Sequence, residues 1–214
     1  MDKLQIAIVI PAFNEEATIL DVVQSATQYG TVVVVNDAST DNTKQIIEST
    51  KAILVNHEKN KGYDEALNSG FLKAKKMNCD VVITLDADGQ HSQKYIQKYI
   101  DLLRQGFKVV VGTRDRFQRI SEHIFSWVSA WKWGIKDPLC GMKAYHIDVF
   151  NELGCFDSYH SIGTELAIYA ASKKIRIVQQ PIKIKKRQGK PRFGVGFSAN
   201  MTILRALWIG YKKY

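Results

Sequence analysis

Cysteine is scarce in this sequence. Cys79, Cys140 and Cys155 are an odd number at spacings that match neither a disulfide framework nor a zinc knuckle, which points to a reducing cytosol. Long apolar runs are missing too: nowhere do 18 uninterrupted apolar residues occur, so no segment qualifies as a transmembrane helix. The N-terminal apolar run, Ile6 to Ile10, is too short for the hydrophobic region of a signal peptide, and Pro11, Glu15 and Glu16 follow it. No targeting peptide is expected, and any membrane contact is expected to be peripheral. Internal repeats and low-complexity segments are absent as well. The sharpest absence is of acid, because residues 166–214 contain no Asp or Glu at all.

What is present is ordinary in bulk and unusual in its arrangement. A chain of 214 residues with 45% hydrophobic and 24% charged residues can bury one sizeable core, which excludes a disordered, collagen-like or multi-spanning membrane protein. The formal charge of +9 divides unevenly. Residues 1–165 carry 18 basic and 21 acidic residues, whereas residues 166–214 carry 12 basic ones. A mildly acidic body with a strongly basic C-terminal region predicts a polyanionic partner: nucleic acid, an anionic membrane surface or a phosphorylated substrate.

Short β-branched runs at Ile6–Ile10, Thr31–Val35, Ala52–Val55, Val81–Leu85 and Val109–Val111 read as strands buried on both faces. Helical patterns alternate with them at Glu15–Tyr29, Asp41–Ser49, Tyr63–Met77 and Ser92–Arg104, with Thr40 and Ser92 as candidate N-caps. This alternation predicts an α/β fold with a mostly parallel central sheet and helices on both faces. Ligands of such sheets bind outside the carboxyl ends of the strands. Those ends carry Pro11-Ala12-Phe13-Asn14-Glu15-Glu16, Asn36-Asp37-Ala38-Ser39, Asp86-Ala87-Asp88-Gly89-Gln90 and Gly112-Thr113-Arg114. Carboxylates, amides and an arginine thus converge on one rim. Further on, Ile120–Trp133 is an aromatic-rich amphipathic stretch, a loop follows at Asp137–Met142, and Thr164–Ser172 reads as a helix. Ile175–Val178 and Ile182–Ile184 read as strands flanking Pro181, Lys185–Gly196 as a basic loop, and Ala199–Tyr211 as a closing apolar segment.

Asp86 and Asp88 carry the clearest chemistry. A turn directly after a buried strand can bring both carboxylates to one cation, with Gln90 as a further oxygen donor, and an all-oxygen set suits Mg²⁺ or Mn²⁺ rather than zinc. The same aspartates can also simply cap the helix that follows.

Taken in order, PAFNEE, VVNDASTDNT, NKGYDEALNSGF, LDADGQH and GTR resemble the successive motifs of family 2 glycosyltransferases over about residues 5–145. DADGQH, GTR and DPLCGMK together are most similar to the polyprenyl-phosphate sugar transferases, of which dolichyl-phosphate mannose synthase is one. The resemblance implies the GT-A nucleotide-diphospho-sugar transferase fold. It implies a single catalytic domain over residues 1–196, with a nucleotide-sugar half (1–115) and an acceptor half (116–196), and an amphipathic segment at 197–214. It also implies site residues. Pro11, Phe13 and Glu15 resemble the wall holding the nucleoside, and Asp37 the carboxylate that meets base or ribose. Asp86, Ala87, Asp88 and Gln90 resemble the diphosphate and metal site, with Arg114 close by. Asn60, Gly62, Asn68 and Gly70 match the family pattern, although shaping a loop and packing a helix explain them equally well. Glu16 fits equally a first-turn acid favoured by the helix dipole.

In the acceptor half, Asp137 and Glu165 are the candidate carboxylates. A hydroxyl acceptor needs a general base, whereas a phosphate acceptor, with a second pKa of about 6, is already largely ionised at neutral pH. In the resembling family a basic loop meets the phosphates of donor and acceptor, and Arg187, Lys190 and Arg192 fit that place. KKRQGKPRFG departs from the commoner arrangement, since Pro191 and Arg192 replace a serine and a lysine. Trp127, Trp131, Trp133 and Trp208, with Lys132, Arg205, Lys212 and Lys213 nearby, have interfacial composition, or else pack two helices in the core.

The expectation is an inverting, metal-dependent transferase. It would move a sugar from a UDP- or GDP-sugar to a polyprenyl (dolichyl or undecaprenyl) phosphate at the inner face of the cytoplasmic membrane, with Asp88, Asp137 and Arg114 at the reacting centre. A transferase acting on a sugar hydroxyl in polysaccharide, glycan or glycolipid assembly is the alternative. A sugar-nucleotide pyrophosphorylase would carry an N-terminal Gly-rich basic signature, which PAFNEEAT lacks. A basic nucleic-acid-binding module is a distant alternative: it would explain the charge but not the acidic rim, and the basic segment holds one aromatic, Phe193, where single strands need interleaved stacking platforms.

Overall fold

Successive side chains of a strand go to opposite sides of the sheet, so the fully buried run around Ile6–Ile10 must be covered twice. In the computed structural model, which describes residues 4–185 and 197–214, Ile6, Ile8 and Ile10 enter one core while Ala7 and Val9 enter another. The elements in chain order are β1 (Ile6–Ala12), α1 (Ile19–Ala26), β2 (Thr31–Asn36), α2 (Thr43–Glu48), β3 (Ile53–Asn56), α3 (Tyr63–Lys76), β4 (Val81–Thr84), α4 (Lys94–Arg104), β5 (Val109–Arg114), α5 (Ile120–Trp133), β6 (Lys143–His146), α6 (Ile147–Leu153), α7 (Glu165–Ser172), β7 (Ile177–Ile182) and α8 (Phe197–Lys213). The strands form one sheet in the order β3-β2-β1-β4-β6-β5-β7. Neighbours pair in parallel except β6, which runs antiparallel between β4 and β5.

One core packs Ile19, Val22 and Val23 of α1 and Ile96, Tyr99 and Ile100 of α4 on the sheet; the other packs Leu67 and Phe71 of α3, Val149 and Phe150 of α6 and Leu166 of α7. Phe71 meets the rings of Phe156, Phe150 and Tyr145 at centroid distances of 4.9, 5.2 and 5.9 Å. Truncating so buried a ring costs about 3–5 kcal/mol. Beside it, Gly70 lets α3 lie directly on β1, where any β-carbon would overlap Val9. A third, smaller cluster joins α5, α7 and α8 through Phe125, Ile168, Ile203, Ala206 and Leu207.

The structure departs from the sequence reading in several places. β6 and α6 were not expected, because Lys143-Ala144-Tyr145-His146 has no β-branched run; the open hydrogen-bonding edges of β4 and β5 make it a strand. β7 is one strand through Pro181, a residue without an N–H that is tolerated because β7 lies at the sheet edge. α1 begins at Ile19, not Glu15. Thr40 and Ser92 are not caps, since α2 and α4 start after Asn42 and Gln93. β3, at the opposite edge, is half-buried rather than covered on both faces.

The lateral progress of the strands reverses between β1 and β4, and the carboxyl ends at such a point are where open α/β sheets bind ligands. The motif-bearing loops after β1, β2, β4 and β5 all leave from that edge.

Candidate active site

The loops after β1 and β2 are fastened to each other by side chains. Asn14, at φ +53°, accepts the Thr40 N–H at 2.8 Å on Oδ1 and donates its own N–H to Ser39 Oγ at 3.0 Å. The Glu15 N–H donates to Thr43 Oγ1 at 2.8 Å, and Glu16 Oε2 accepts the Asn42 N–H at 3.0 Å. Glu16 therefore serves the start of α2 across the rim, not the dipole of α1. This fastening leaves Phe13 exposed while Pro11 and Glu15 are buried.

Asp37, after β2, is buried and organises the next loop. Its Oδ1 accepts the Lys61 N–H at 2.8 Å and lies 2.7 Å from His57 Nδ1; its Oδ2 accepts the Gly62 N–H at 2.8 Å. A carboxylate has about four acceptor positions, so most are taken by this staple. Asn60 donates to the Asp37 carbonyl, and Gly62 supplies φ +89° at the entry to α3. Asn68 ties α3 to the 156–157 backbone through both ends of its amide. Asn60, Gly62, Asn68 and Gly70 thus shape and pack this region.

After β4 the chain turns sharply. The Ala87 carbonyl accepts the Thr18 hydroxyl at 2.7 Å, Gly89 adopts φ +71°, and Asp88 Oδ1 accepts the Gln90 N–H at 3.0 Å. Asp86 Oδ1 accepts the Tyr63 hydroxyl at 3.1 Å, and its Oδ2 lies 3.6 Å from His91 Nδ1. Gly141 packs against the same carboxylate so closely that a β-carbon would overlap it. Gln90 exchanges hydrogen bonds with Lys185, its carbonyl accepting at 2.9 Å and its Nε2 donating at 3.2 Å, while His91 pairs with Ile184. The chain beyond β7 is thereby held against the Asp86–Asp88 turn. Among the described residues no group of three or more His, Cys, Asp and Glu side chains could hold a metal ion. Two carboxylates on one turn fit a hard divalent ion, Mg²⁺ or Mn²⁺, that takes its remaining oxygens from ligand and water.

At the end of β5, Arg114 and Asp137 form a bidentate pair. Arg114 Nε and Nη2 reach the two Asp137 oxygens at 2.8 and 2.9 Å, and the Arg114 N–H adds a third bond at 3.0 Å. Glu122, on α5, approaches the guanidinium from the other side at 3.3 Å and also pairs with Arg119. Burial opposes the charge on Arg114, but the bonds and attraction to Asp137 outweigh it and hold its pKa above the ordinary arginine value. Next to this pair, Lys143 is buried, with Nζ donating to the Gly163 carbonyl at 3.0 Å. Burial pushes its pKa below that of an ordinary lysine, opposed by Cys140, Asp137 and Asp86. Burial also pushes the Cys140 thiol up to about 12, which excludes it as a nucleophile at neutral pH.

Glu165 lies elsewhere. Fully buried, it accepts the Ser158 N–H and hydroxyl, the Lys213 ammonium at 2.5 Å and the Tyr214 hydroxyl at 2.7 Å, fastening α7 to the end of α8. Arg187, Lys190 and Arg192 fall outside the described residues. Sequence reasoning assigned no role to Tyr63, Glu122, Gly141 or Lys143. Of these, Lys143 left a signal, as a charge between the apolar Met142 and Ala144.

Residues 7–155 match the profile of Glycosyl transferase family 2. The chain belongs to that family. It is 29% identical to the UDP-N-acetylglucosamine–dolichyl-phosphate N-acetylglucosaminyltransferase of Methanococcus voltae, over 85% of this chain and 86% of that one. It is 26% identical to the dolichyl-phosphate hexose transferase of Haloferax volcanii, over 94% and 92%. Glucosyl-3-phosphoglycerate synthase from Mycobacterium tuberculosis, solved with Mn²⁺, UDP and glucosyl-3-phosphoglycerate, superposes with a TM-score of 0.80 at 21% identity, covering 97% of this chain and 80% of that one. The fold is therefore GT-A, and the protein is a glycosyltransferase of family 2.

Proposed function

We propose that this glycosyltransferase moves a sugar from a UDP- or GDP-sugar to a polyprenyl phosphate with inversion, working as a peripheral protein on the inner face of the cytoplasmic membrane. Pro11, Phe13 and Glu15 hold the nucleoside, with Asp37 lending its remaining acceptor position to base or ribose. Asp86, Ala87 and Asp88 face the donor diphosphate, and Asp86, Asp88 and Gln90 hold Mg²⁺ or Mn²⁺. When bound, such an ion neutralises the charge that develops on the departing nucleotide diphosphate. Arg114, oriented by Asp137, faces the diphosphate and the reacting centre, and Arg187, Lys190 and Arg192 meet the acceptor phosphate.

One observation carries the choice of acceptor. Asp137 is engaged by Arg114 through both oxygens, and Glu165 by Lys213, Tyr214 and Ser158, so the two carboxylates considered as bases are already committed. An acceptor phosphate needs no base at neutral pH. The names of the Methanococcus and Haloferax relatives, each a dolichyl-phosphate transferase, support the same choice.

The test begins with a thermal-shift screen of UDP, GDP and their sugars with and without Mn²⁺. Radiolabel transfer to polyprenyl phosphate in detergent then follows. Stabilisation by at least one nucleotide with Mn²⁺ is expected; stabilisation by none overturns the reading. Asp137→Asn and Glu165→Gln, assayed while folded, are expected to retain most transfer. Loss of about a hundredfold in either would favour a hydroxyl acceptor and an essential base.

A further inference from the structure

α5 and α8 lie side by side and run the same way. At one end Ser121 Oγ donates to Asn200 Oδ1 at 2.6 Å, and at the other the Lys132 ammonium reaches the Tyr211 carbonyl at 2.5 Å. Phe125 of α5 and Ile203, Ala206 and Leu207 of α8 face inward, onto Ile168 of α7. What faces outward is also apolar. Ile120, Ile124, Trp127 and Trp131 recur at intervals of four, three and four residues, which is one stripe of a helix. Trp127 and Trp131 are 76% and 75% exposed, and on α8 Met201 and Trp208 are 49% and 58% exposed. The core-packing alternative for these tryptophans therefore holds only for Trp133, which lies between the helices, 6.5 Å from the Tyr211 ring.

A water-facing helix does not ordinarily present two nearly bare indoles and two large aliphatics in one row. The surrounding charge narrows what covers them. α8 has no acidic residue, and the one acid of α5, Glu122, is buried in its bonds to Arg114 and Arg119. The exposed charged groups beside the stripe are cations: Lys132 stands 3.7 Å from the Tyr211 ring centroid and Lys212 3.8 Å from that of Trp208, while Arg205 lies on the same helix. Aromatic and aliphatic residues flanked by lysine are the composition of a surface that sits among anionic lipid headgroups. No helix among the described residues is long and apolar enough to cross a membrane, so this face would lie on the bilayer.

We propose that the outward faces of α5 and α8, centred on Trp127, Trp131 and Trp208, dock the enzyme on an anionic lipid bilayer. The inference rests on the polyprenyl-phosphate reading and adds an orientation to it. Glu122, at the N-terminal end of the pair, contacts Arg114 beside the Asp137 carboxylate. Lying flat on lipid, the helices bring that end of the rim down to headgroup level, where the phosphate of a membrane-embedded acceptor resides.

The experiment compares the full chain with Trp127→Ser/Trp131→Ser and with Trp208→Ser by co-sedimentation with vesicles. These are phosphatidylcholine alone and phosphatidylcholine containing phosphatidylglycerol. Transfer is assayed in parallel on acceptor in those vesicles and on acceptor in detergent. The wild type is expected to bind the anionic vesicles, with a blue shift of tryptophan emission. The double variant is expected to bind at least about tenfold more weakly and to lose transfer to vesicle acceptor in proportion, while keeping its melting temperature, its nucleotide binding and its transfer in detergent. Wild-type protein that ignores anionic vesicles, or a double variant that binds like wild type, overturns the proposal. So does a stable dimer in ultracentrifugation that the same substitutions dissociate, since the stripe would then be a contact between copies. Vesicle binding without transfer to either form of acceptor would sink the functional reading and leave the docking face standing. Transfer in detergent without vesicle binding would do the reverse.

Discussion

The two sides of the rim handle buried carboxylates differently. On the acceptor side, Asp137 is matched to Arg114 and Glu122 to Arg114 and Arg119, and away from the rim Glu165 is matched to Lys213. On the nucleotide side, Asp37 is held by two backbone N–H groups and an imidazole, Asp88 takes the Gln90 N–H, and Asp86 takes the Tyr63 hydroxyl and lies 3.6 Å from His91 Nδ1. Ion pairs neutralise charge, so acids held that way contribute little to an electrostatic site. On the proposed reading the paired acids brace the fold while Asp86 and Asp88 serve chemistry, although both kinds look alike in the sequence.

The comparison breaks most visibly at Asp88. Asp88→Asn should keep the shape of the turn and remove one charge from the pair proposed to hold the ion, so turnover should fall by about 10²–10³-fold while the melting temperature moves by only a few degrees. Radiolabel transfer over a Mn²⁺ titration, paired with a thermal melt, reads both quantities. Full Mn²⁺-dependent activity in this variant would end the metal assignment, and unfolding would move Asp88 to the bracing class.

Asp137 tests the opposite class. Asp137→Ala leaves a buried guanidinium with Glu122 as its remaining carboxylate partner, and removing one member of a buried pair typically costs about 3–5 kcal/mol. Urea unfolding should show the midpoint falling with the slope unchanged. A loss below about 1 kcal/mol would mean that the pair does not brace the fold, and Asp137 would return as a candidate for direct catalysis.

These two tests also show where sequence reading succeeded and where it stopped. The strands β1, β2, β4 and β5 were legible because each is a run of β-branched residues, and the rule that ligands bind at carboxyl ends then gathered Pro11, Asp37, Asp86, Asp88 and Arg114 on one edge. β6 was not legible, because a strand inserted between two others is made by its neighbours' open hydrogen bonds rather than by its own residues. The division of acids was hidden for a related reason. Nothing local marks Asp137 as paired, since its partner Arg114 is 23 residues away. The composition around Trp127 and Trp131 fits either an interface or the packing of two helices, because a helical pattern alone cannot say which side of α5 faces inward.

The smallest expected effect concerns a carboxylate held by dipoles on the far side of α3. Asp64 accepts the Gly163 N–H at 2.6 Å and the Ile162 N–H at 3.2 Å, fixing a loop in which His160 and Ile162 adopt φ of +57° and +59°. A β-branched residue in that region is strained, so the loop depends on such anchors. Burial foremost, then the charge of Asp157, raises the Asp64 carboxyl to about 7, against the two N–H donors that favour its ionised form. Folded protein therefore binds this proton more tightly than the unfolded chain does. Its contribution to stability is complete below the ordinary aspartate pKa of about 4 and is lost as pH rises towards 7. Asp64→Asn has no proton to lose, so the wild-type melting temperature should fall by about 2–5 °C relative to the variant between pH 5 and pH 7.5. Parallel melting curves across that window would show that the two N–H donors suffice to keep Asp64 ionised. Backbone dipoles would then hold the Asp64 charge as fully as Arg114 holds that of Asp137.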